Sequence, residues 1–331
     1  MRIILDAMGS DSHPEPEIKA AIQSANYYKE EILLVGNQDL LLPQLESYGN
    51  QKRLVKIIHA PEVLEMTDKP AENARRKSLN SMAVGMDLLK AGEADAFVTA
   101  GNTGGAMANA LFRLGRIRGV KRPALTAVIP VRKGHCVVLD IGANVDCKPE
   151  YLIQFAIMGS IYAEKVLAIK NPKVALLSNG EEAGKGNQLI KDTYPLLERS
   201  MVNFIGNVES KELFNGEADV VITDGFTGNI FVKTSEAATR LLMDMIRVEL
   251  MSNLFNKLGA LLAKPAFMRI RKVMDPAEIG AVPLLGVNGL IFIGHGRSDD
   301  RALFNAIRVT RQAIQSNLLD SIKFTIQERL L

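Results

Sequence analysis

Short apolar runs alternate with helical patterns along almost the whole chain, and this alternation is the feature that most limits its fold. The runs are rich in β-branched residues and have the length of buried strands. We predict strands at residues 2–6, 32–35, 54–59, 96–100, 125–131, 136–141, 174–177, 220–223 and 290–294. Helical spacing fills the segments 14–28, 71–89, 149–167 and 300–319. Strands that alternate with helices form a mainly parallel sheet covered on both faces, so we expect a three-layer α/β/α fold.

Composition excludes several classes of protein. The chain has 331 residues, of which 47% are hydrophobic and 23% charged, and these are ordinary values for a globular protein. Its 40 basic and 37 acidic residues give a net charge of +3, which is too balanced for a surface that grips nucleic acid broadly. We therefore expect one globular domain over residues 1–331 and no nucleic-acid partner.

Three absences in the sequence point to a cytoplasmic location. No stretch has the length and apolar character of a membrane span. The N-terminus lacks the apolar run and cleavage site of a signal peptide. The two cysteines, Cys136 and Cys147, are too few for a disulfide framework.

Glycine-containing turns follow several predicted strands and precede helices. They read DAMGSD at 6–11, AGNTGG at 100–105, DIGANVD at 140–146, DGFTGN at 224–229 and GHGRSD at 294–299. In parallel α/β sheets, ligands bind at the carboxyl ends of the strands. Five such turns are more than packing alone requires, so we expect them to line a ligand site.

One of these turns belongs to an internal repeat. Residues 92–105 and 216–229 match at eight of 14 positions, including a shared Gly-Glu-Ala-Asp, at a constant offset of 124. Turn chemistry favours Gly and Thr and explains part of this similarity, but not the Gly-Glu-Ala-Asp before each strand. The repeat predicts two related, intertwined halves facing one cleft.

The AGNTGG turn has the features of an anion site. A helix that starts directly after a strand points free N–H groups and its positive dipole end at the ligand. Glycines allow a close approach, and uncharged side chains add donors. We assign Gly101, Asn102, Thr103 and Gly104 to phosphate, together with Thr227 and Asn229 of the repeated copy. The alternative is ordinary helix capping, which uses the same residue types.

Further polar residues at strand ends are candidates for catalysis or substrate binding. Asn144, Asp146 and Lys148 lie in one turn, and Asp224 opens the repeated turn. Lys185 lies between glycines and can reach a phosphate as a point charge, whereas Arg297, in the same turn as His295, fits phosphate or carboxylate in a bidentate manner. For Asp146 the alternative is a helix cap, and for Lys185 a solvated surface lysine.

Signatures of other enzyme classes are missing. The chain has no GxSxG elbow and no Walker loop, and its four histidines are scattered. His135 and Cys136 are adjacent on a strand and point to opposite faces, so they and Cys147 do not form a metal site. We expect neither a metal nor another cofactor.

The segment 235–274 predicts a protruding helical hairpin with a basic and apolar tip. Residues 250–274 hold five basic residues and no acidic one, and Pro265 interrupts the pattern. We assign membrane or partner contact to Leu258, Leu261, Leu262, Lys264, Arg269, Arg271 and Lys272. The combination suits an anionic membrane surface. Packing in a dimer and docking of an acidic carrier protein are the alternatives.

Seven motifs, in order from residue 6 to residue 299, make the chain resemble the fatty acyl-ACP:phosphate acyltransferase family of bacterial phospholipid synthesis. They are DAMGSD, TAGNTG, RPAL at 122–125, DIGANVDCKPE, NFIGN at 203–207, TDGFTGN and GHGRSD. The resemblance implies acyl transfer from acyl carrier protein to inorganic phosphate, giving acyl phosphate for a membrane acyltransferase. It also implies a homodimer, peripheral membrane attachment and a fold like that of isopropylmalate dehydrogenase.

The first turn departs from the family pattern. The family usually has two glycines followed by Asp-His, whereas this chain has Gly9, Ser10, Asp11 and Ser12, with His13 one position later. Ser10 would be strained if that position required a positive φ.

Both lines of reasoning predict the same chemistry. Phosphate is itself a competent nucleophile toward a thioester, so the protein needs to orient two anionic reactants and stabilise an oxyanion. The open alternatives are a short-chain, coenzyme A-dependent phosphotransacylase and a non-catalytic membrane scaffold. A metal- and NAD-dependent dehydrogenase would share the fold, but the sequence offers no cluster of metal-binding aspartates for it.

Overall fold

The computed structural model describes residues 1–330, without the side chains of residues 71, 271, 329 and 330. Within this range, eleven strands form one sheet. The strands are β1 (Arg2–Asp6), β2 (Glu31–Gly36), β3 (Val55–His59), β4 (Ala96–Thr99), β5 (Ala124–Pro130), β6 (His135–Leu139), β7 (Lys173–Leu177), β8 (Asn203–Val208), β9 (Val220–Ile222), β10 (Ala281–Leu285) and β11 (Ile291–Gly294). All nine predicted strands are present, and β8 and β10 were not predicted.

Helices cover the sheet. They are α1 (Glu15–Tyr28), α2 (Gln38–Glu46), α3 (Pro70–Arg76), α4 (Ser81–Lys90), α5 (Thr103–Arg113), α6 (Pro149–Lys165), α7 (Gln188–Glu198), α8 (Ser210–Asn215), α9 (Gly225–Leu250), α10 (Leu254–Met274), α11 (Asp300–Gln315) and α12 (Leu318–Leu330). Short 3₁₀ turns lie at Gly49–Lys52 and Pro276–Glu278.

The sheet is mixed but mainly parallel, in the order β3-β2-β1-β4-β11-β10-β5-β6-β9-β7-β8. Antiparallel pairs occur at the centre, between β11 and β10, β10 and β5, and β5 and β6. Central strands such as β1 are buried on both faces, with Ile3, Ile4 and Leu5 each at most 1% exposed. This double burial explains why these strands are continuous apolar runs rather than alternating ones.

The two Gly-Glu-Ala-Asp segments occupy matching places in the sheet. Asp95 precedes β4 and accepts a hydrogen bond from the N–H of Arg2, the first residue of β1, at 2.8 Å. Asp219 precedes β9 and accepts one from the N–H of Lys173, the first residue of β7, also at 2.8 Å. The sheet order around β4 mirrors that around β9, with the antiparallel β10–β5 pair between them. Each aspartate thus fixes the start of the neighbouring strand, and the duplication of two halves stays a prediction.

The direction of the strands differs between the two halves of the sheet. The strands around β4 run antiparallel to those around β9, so a flat sheet would place their carboxyl ends at opposite edges. Neighbouring strands in sheets usually rotate by roughly 20–25°, and five steps separate β4 from β9. A rotation of that size at each step would total about 100–125° and would turn both sets of carboxyl ends toward one face, as a shared cleft requires.

Helices α9 and α10 form the predicted hairpin, and much of it is exposed. Helix α9 spans 26 residues, about 39 Å, and only its first turn is well buried. Pro265 lies inside α10 and does not end it, so the predicted interruption is wrong. Near the tip, Phe255 and Leu262 are 86% and 85% exposed. Across the described part of the chain, no helix is long and apolar enough to cross a membrane.

Candidate active site

Three turns meet at the carboxyl ends of β1, β4 and β11, and we call residues 6–11, 100–105 and 294–299 the first turn cluster. Gly9 packs against the start of the AGNTGG turn, where a Cβ would lie 2.9 Å from the backbone nitrogens of Ala100 and Gly101. The N–H of Asp11 donates to the carbonyl oxygen of Gly296 at 2.7 Å. Three segments distant in sequence therefore form one rigid surface.

A buried hydrogen-bond chain supports this cluster from below. The Thr99 hydroxyl donates to Asp6 Oδ2 at 2.6 Å and accepts from the N–H of Gly101 at 2.9 Å. Burial raises the pKa of Asp6 above its usual range, and the hydrogen bond from Thr99 acts in the opposite direction. The position of the AGNTGG turn is thus set by side chains that have no contact with solvent.

The N-terminus of α5 is neutral and has free donors. Asn102 is the N-cap, and its Oδ1 accepts from the N–H of Gly105 at 2.9 Å. Among the described residues, no acceptor lies within hydrogen-bond distance of the N–H groups of Thr103 and Gly104. The Thr103 side chain is exposed. Two free N–H groups, a helix dipole and no acidic cap are what an anion requires.

Residues 62–77 lie over this helix start, which the sequence analysis did not predict. Asn102 Nδ2 donates to the carbonyl oxygens of Met66 at 3.0 Å and Glu65 at 3.3 Å. A Cβ on Gly104 would lie 2.6 Å from Pro70 Cγ, and one on Gly105 would lie 2.5 Å from Leu64 Cδ2. Asn102 therefore fastens the covering segment as well as capping the helix, and both glycines are needed for its close approach.

The second turn cluster consists of residues 122–125, 140–148 and 224–229 and is organised by Asp140. This carboxylate is buried and accepts hydrogen bonds from the N–H groups of Leu125, Gly142, Ala143 and Asn144. Burial raises its pKa, against the effect of these bonds. The Asn144 side chain donates to Asp140 Oδ2 at 2.9 Å and to the carbonyl oxygen of Pro123 at 2.7 Å. Asn144 thus joins the RPAL segment to the DIGANVD turn.

Helix α9 begins differently from α5, although the two turns repeat in sequence. Asp224 caps α9, accepting from the N–H of Thr227 at 2.8 Å and from its hydroxyl at 2.9 Å. The N–H of Gly225 donates to the carbonyl oxygen of Asn144 at 2.8 Å, so it is not free for a ligand. Asn229 Nδ2 donates to the carbonyl oxygen of Ile141 at 3.0 Å. A carboxylate cap and occupied donors make this helix start a poor anion site.

The sheet separates the two repeated turns. Strands β4 and β9 are five positions apart, which corresponds to about 24 Å in the plane of the sheet. The two turns therefore belong to separate clusters: Gly101, Asn102, Thr103 and Gly104 lie in the first turn cluster, and Thr227 and Asn229 lie in the second.

The remaining predicted residues lie in the two clusters, except Lys185, which lies in a separate loop. His295 and Arg297 are exposed in the first cluster, where His295 Nδ1 accepts from the N–H of Arg297 at 3.2 Å. Asp146 and Lys148 are exposed in the second cluster, at the start of α6. Lys185 is exposed in the loop before α7, at the carboxyl end of β7.

Two details complete the first cluster. Asp299, not the preceding Ser298, is the N-cap of α11, and its Oδ1 accepts from the N–H of Ala302 at 2.8 Å. The Ser298 hydroxyl donates to the carbonyl oxygen of His295 instead. Ser10 has no positive φ, so the replacement of the usual glycine causes no backbone strain.

The cysteines are not poised for nucleophilic chemistry. Cys136 is fully buried in β6, where burial raises the pKa of its thiol. Burial also raises the pKa of Cys147 to about 12. Both thiols are therefore protonated at neutral pH and poorly reactive.

Comparison with known proteins decides the family. Residues 1–321 match the model of a family described as fatty acid synthesis protein. The phosphate acyltransferase of Elusimicrobium minutum is 47% identical over 329 residues, covering 99% of this chain and 96% of that protein. The phosphate acyltransferase of Pelotomaculum thermopropionicum is 46% identical over 327 residues, covering 99% and 95%. The chain belongs to the phosphate acyltransferase family.

Solved structures confirm the fold. The EutD phosphotransacetylase from Staphylococcus aureus matches with a TM-score of 0.60 at 16% identity, covering 96% of this chain and 94% of that one. A phosphotransacetylase from Streptococcus pyogenes matches with a TM-score of 0.61 at 17% identity over the same shares of each chain. These similarities confirm the α/β architecture with its large, mostly parallel sheet.

Proposed function

We propose that this acyltransferase moves a fatty acyl group from the thioester of acyl carrier protein to inorganic phosphate and releases acyl phosphate. Membership of the phosphate acyltransferase family supports phosphate as the acceptor. The carrier-bound donor is what the resemblance of the sequence motifs to the fatty acyl-ACP:phosphate acyltransferase family implies. The observation that carries the assignment of the phosphate site is the neutral N-terminus of α5, with the free N–H groups of Thr103 and Gly104.

The proposed reaction needs no covalent enzyme intermediate. A phosphate oxygen attacks the thioester carbonyl carbon, the C–S bond breaks, and the carrier leaves as a thiolate that takes up a proton. The protein contributes by holding phosphate at α5 and by stabilising the oxyanion that develops on the carbonyl oxygen. Both thiols are protonated at neutral pH, Cys136 in the core and Cys147 half-buried, which is consistent with direct attack.

The other predicted residues are assigned by the cluster in which they lie. Arg297 and His295 lie in the same turn cluster as the phosphate turn, so we assign Arg297 to balancing the charge of phosphate and His295 to protonating the leaving sulfur. Lys148 and Asp146 lie in the second turn cluster and Lys185 in the loop after β7, and we assign the two lysines to the acyl donor. Asn144 and Asp224 act through the backbone that they hold, as positioning residues.

Phosphate-dependent release of the carrier thiol tests this function, and Thr103→Val tests the site. The substitution removes a donor but keeps the shape, and it should raise the KM for phosphate or lower kcat by about 5- to 100-fold. Thr227→Val is the matched control from the repeated turn and should change the KM for phosphate less than twofold. If Thr103→Val and Thr227→Val change the KM for phosphate and kcat equally, the assignment of the phosphate site to α5 is wrong.

Donor identity separates the alternatives. Turnover with acyl-coenzyme A but not with acyl carrier protein would identify a coenzyme A-dependent phosphotransacylase. Binding to lipid without any phosphate-dependent thiol release would identify a scaffold. Neither outcome is expected, since the proposed donor is carrier-bound.

We propose that the hairpin tip docks on the anionic, cytoplasmic face of the cell membrane. Leu258, Leu261 and Leu262 are exposed apolar residues of α10, and Lys264, Arg269 and Lys272 follow on the same helix. The side chain of Arg271 lies outside the described residues. Apolar insertion plus basic side chains near anionic lipid suffices for reversible attachment. Docking there would release acyl phosphate close to a membrane acyltransferase that consumes it.

Vesicle co-sedimentation tests this attachment. Wild type should bind anionic vesicles in a salt-sensitive way, and Leu258→Glu with Leu262→Glu should abolish binding without loss of turnover in solution. Unchanged binding by the double variant would assign the tip to another partner.

We propose that a second copy of the chain covers the stem of the hairpin, which makes the protein a homodimer. Apolar side chains are exposed on the parts of both helices farther from the connecting turn at 251–253, including Ile230, Leu241 and Leu242 of α9 and Ile270 and Val273 of α10. Exposed apolar side chains of this kind on a monomer surface are typical of an interface. Sedimentation equilibrium should give twice the chain mass, and Leu241→Glu should yield a monomer. A monomeric wild type would refute the assignment.

A further inference from the structure

A basic loop between α5 and β5 is not used by any role assigned so far. Between Asp95 and Asp140 the chain has 44 residues with seven Arg or Lys and no Asp or Glu. Four of the seven lie at residues 116–122, in the loop that leads into the RPAL segment, and we call residues 115–122 the basic loop. Such a concentration of one charge creates a strong local field.

The backbone of the basic loop is held rigidly on α6. Gln154 accepts from the N–H of Lys121 at 2.8 Å and donates to the carbonyl oxygen of Gly119 at 2.9 Å. The Arg116 guanidinium donates to the carbonyl oxygen of Lys121. These bonds fix the loop before any partner binds, which lowers the entropic cost of docking.

The loop is also attached to the second turn cluster. Its neighbour Pro123 accepts the hydrogen bond from Asn144, the residue that joins the cluster together. Arg122 stacks above the ring of Tyr151, in the first turn of α6, at 5.9 Å. The basic loop therefore borders the side of the cleft that we assign to the acyl donor.

The basic side chains point outward and lack acidic partners. Arg116, Arg118, Lys121 and Arg122 are exposed, and no described carboxylate lies within ion-pair distance of any of them. Asp146 of the second turn cluster and Glu150 in the first turn of α6 are also exposed, and neither forms an ion pair with the loop. By contrast Arg113, just before the loop, pairs with Asp87 at 2.7 Å. The loop thus presents four cations whose charge is not balanced locally.

The apolar residues of the loop distinguish between possible partners. Ile117 and Val120 are buried, at 2% and 5% exposure, so the loop has no large apolar side chain to insert into a bilayer. Attachment of a protein surface to a membrane usually combines apolar insertion with basic charge, as we propose for the hairpin tip. An exposed basic surface without apolar side chains suits an acidic protein surface that must dock and leave in every turnover.

We propose that the basic loop is the docking surface for an acidic carrier protein that delivers the acyl thioester to the cleft. This inference rests on the proposed function, because it supplies the partner of the same site. It also assigns separate surfaces to the membrane and to the carrier. The hairpin tip binds lipid, and the basic loop binds the protein donor.

The test compares a carrier-bound donor with a small one. Arg118→Glu with Lys121→Glu changes two side chains that carry no hydrogen bond or ion pair in the described structure. The KM for acyl carrier protein thioester should rise about tenfold and lose most of its dependence on salt. Turnover of an acyl-N-acetylcysteamine thioester, which has no protein part, should change less than twofold.

A matched control carries the same change in charge elsewhere. Lys165→Glu with Lys170→Glu lies at and beyond the other end of α6, about 24 Å from its first turn. This control should leave the KM for both donors unchanged.

The proposal is overturned if the loop variant and wild type have equal KM values for the carrier-bound donor. If the loop variant loses binding to anionic vesicles while the KM for the carrier-bound donor is unchanged, the loop binds lipid and the carrier-docking proposal is likewise overturned. Absence of phosphate-dependent turnover by wild type with any donor would instead refute the proposed function.

Discussion

Glu17 should make the protein less stable as pH rises through the neutral range. Its side chain is fully buried in α1, and its Oε1 accepts from the N–H of Ser10 at 2.9 Å. Neither Glu17 Oε2 nor Ser10 Oγ has a hydrogen-bond partner. Burial, with a smaller effect from the charge of Asp6, raises the pKa of Glu17 from 4.5 to about 7. In the folded protein the carboxyl group is therefore about half protonated at pH 7 and largely protonated below it.

The magnitude follows from linkage. A folded-state pKa above the unfolded value means that the unfolded chain loses its proton first, so the contribution of Glu17 to stability is full below about pH 4.5 and is lost as pH rises through about 7. A difference of about 2.5 pK units corresponds to about 3 kcal/mol, of which about 2.5 kcal/mol is lost between about pH 5 and about pH 8. Asp6, whose pKa burial also raises, contributes in the same direction.

Glu17→Gln isolates this contribution. The amide oxygen can still accept from the N–H of Ser10, but the side chain no longer titrates. Urea unfolding followed by circular dichroism and tyrosine fluorescence should give a wild-type free energy of unfolding that falls more steeply with pH than that of the variant. The difference between the two slopes should total about 2.5 kcal/mol between about pH 5 and about pH 8. Parallel pH profiles would refute the reasoning.

Two further predictions concern packing. Gly228→Ala would place a Cβ 1.9 Å from the carbonyl oxygen of Asp140 and should destabilise the protein by about 3 kcal/mol or more in urea unfolding, whereas Gly259→Ala, in an open position of α10, should not destabilise it. Arg311→Ala removes two hydrogen bonds to Glu30, each of 2.8 Å, and a stacking contact with Tyr28. This substitution should lower the free energy of unfolding by about 2–4 kcal/mol. Arg311→Lys should recover less than half of that loss.

Strand prediction succeeded where burial on both faces produces a continuous apolar run, and failed where it does not. In β8, Asn203 and Gly206 interrupt the apolar residues. Strand β10 contains Pro283, and proline is atypical of a strand because it cannot donate a hydrogen bond to a ladder. The structure resolves this conflict, since β10 pairs with β5 only through Leu284 and Leu285. Pro283 lies beyond that ladder, next to β11.

The positions of the glycine turns could be predicted from the sequence, but their division between two clusters could not. Turn chemistry is local, whereas the separation of β4 from β9 depends on the order of all eleven strands. The covering segment 62–77 was also missed. The sequence held one signal for the covering segment, which is the pair of adjacent glycines Gly104 and Gly105. Capping a helix does not require two glycines, so the pair indicates that another segment packs closely on the helix start.

The difference between the repeated turns gives a last prediction, since one helix starts with Asn102 and the other with Asp224. Both residue types cap a helix equally well, but a carboxylate repels phosphate. Asn102→Asp should therefore raise the KM for phosphate about tenfold or more, because a charge at the cap costs at least about 1–2 kcal/mol against an anion. The substitution also removes the donor to Met66. Asn102→Ser controls for this loss, because serine caps the helix, carries no charge and cannot reach the covering segment. If both variants raise the KM equally, the covering segment controls phosphate binding and the charge of the cap does not.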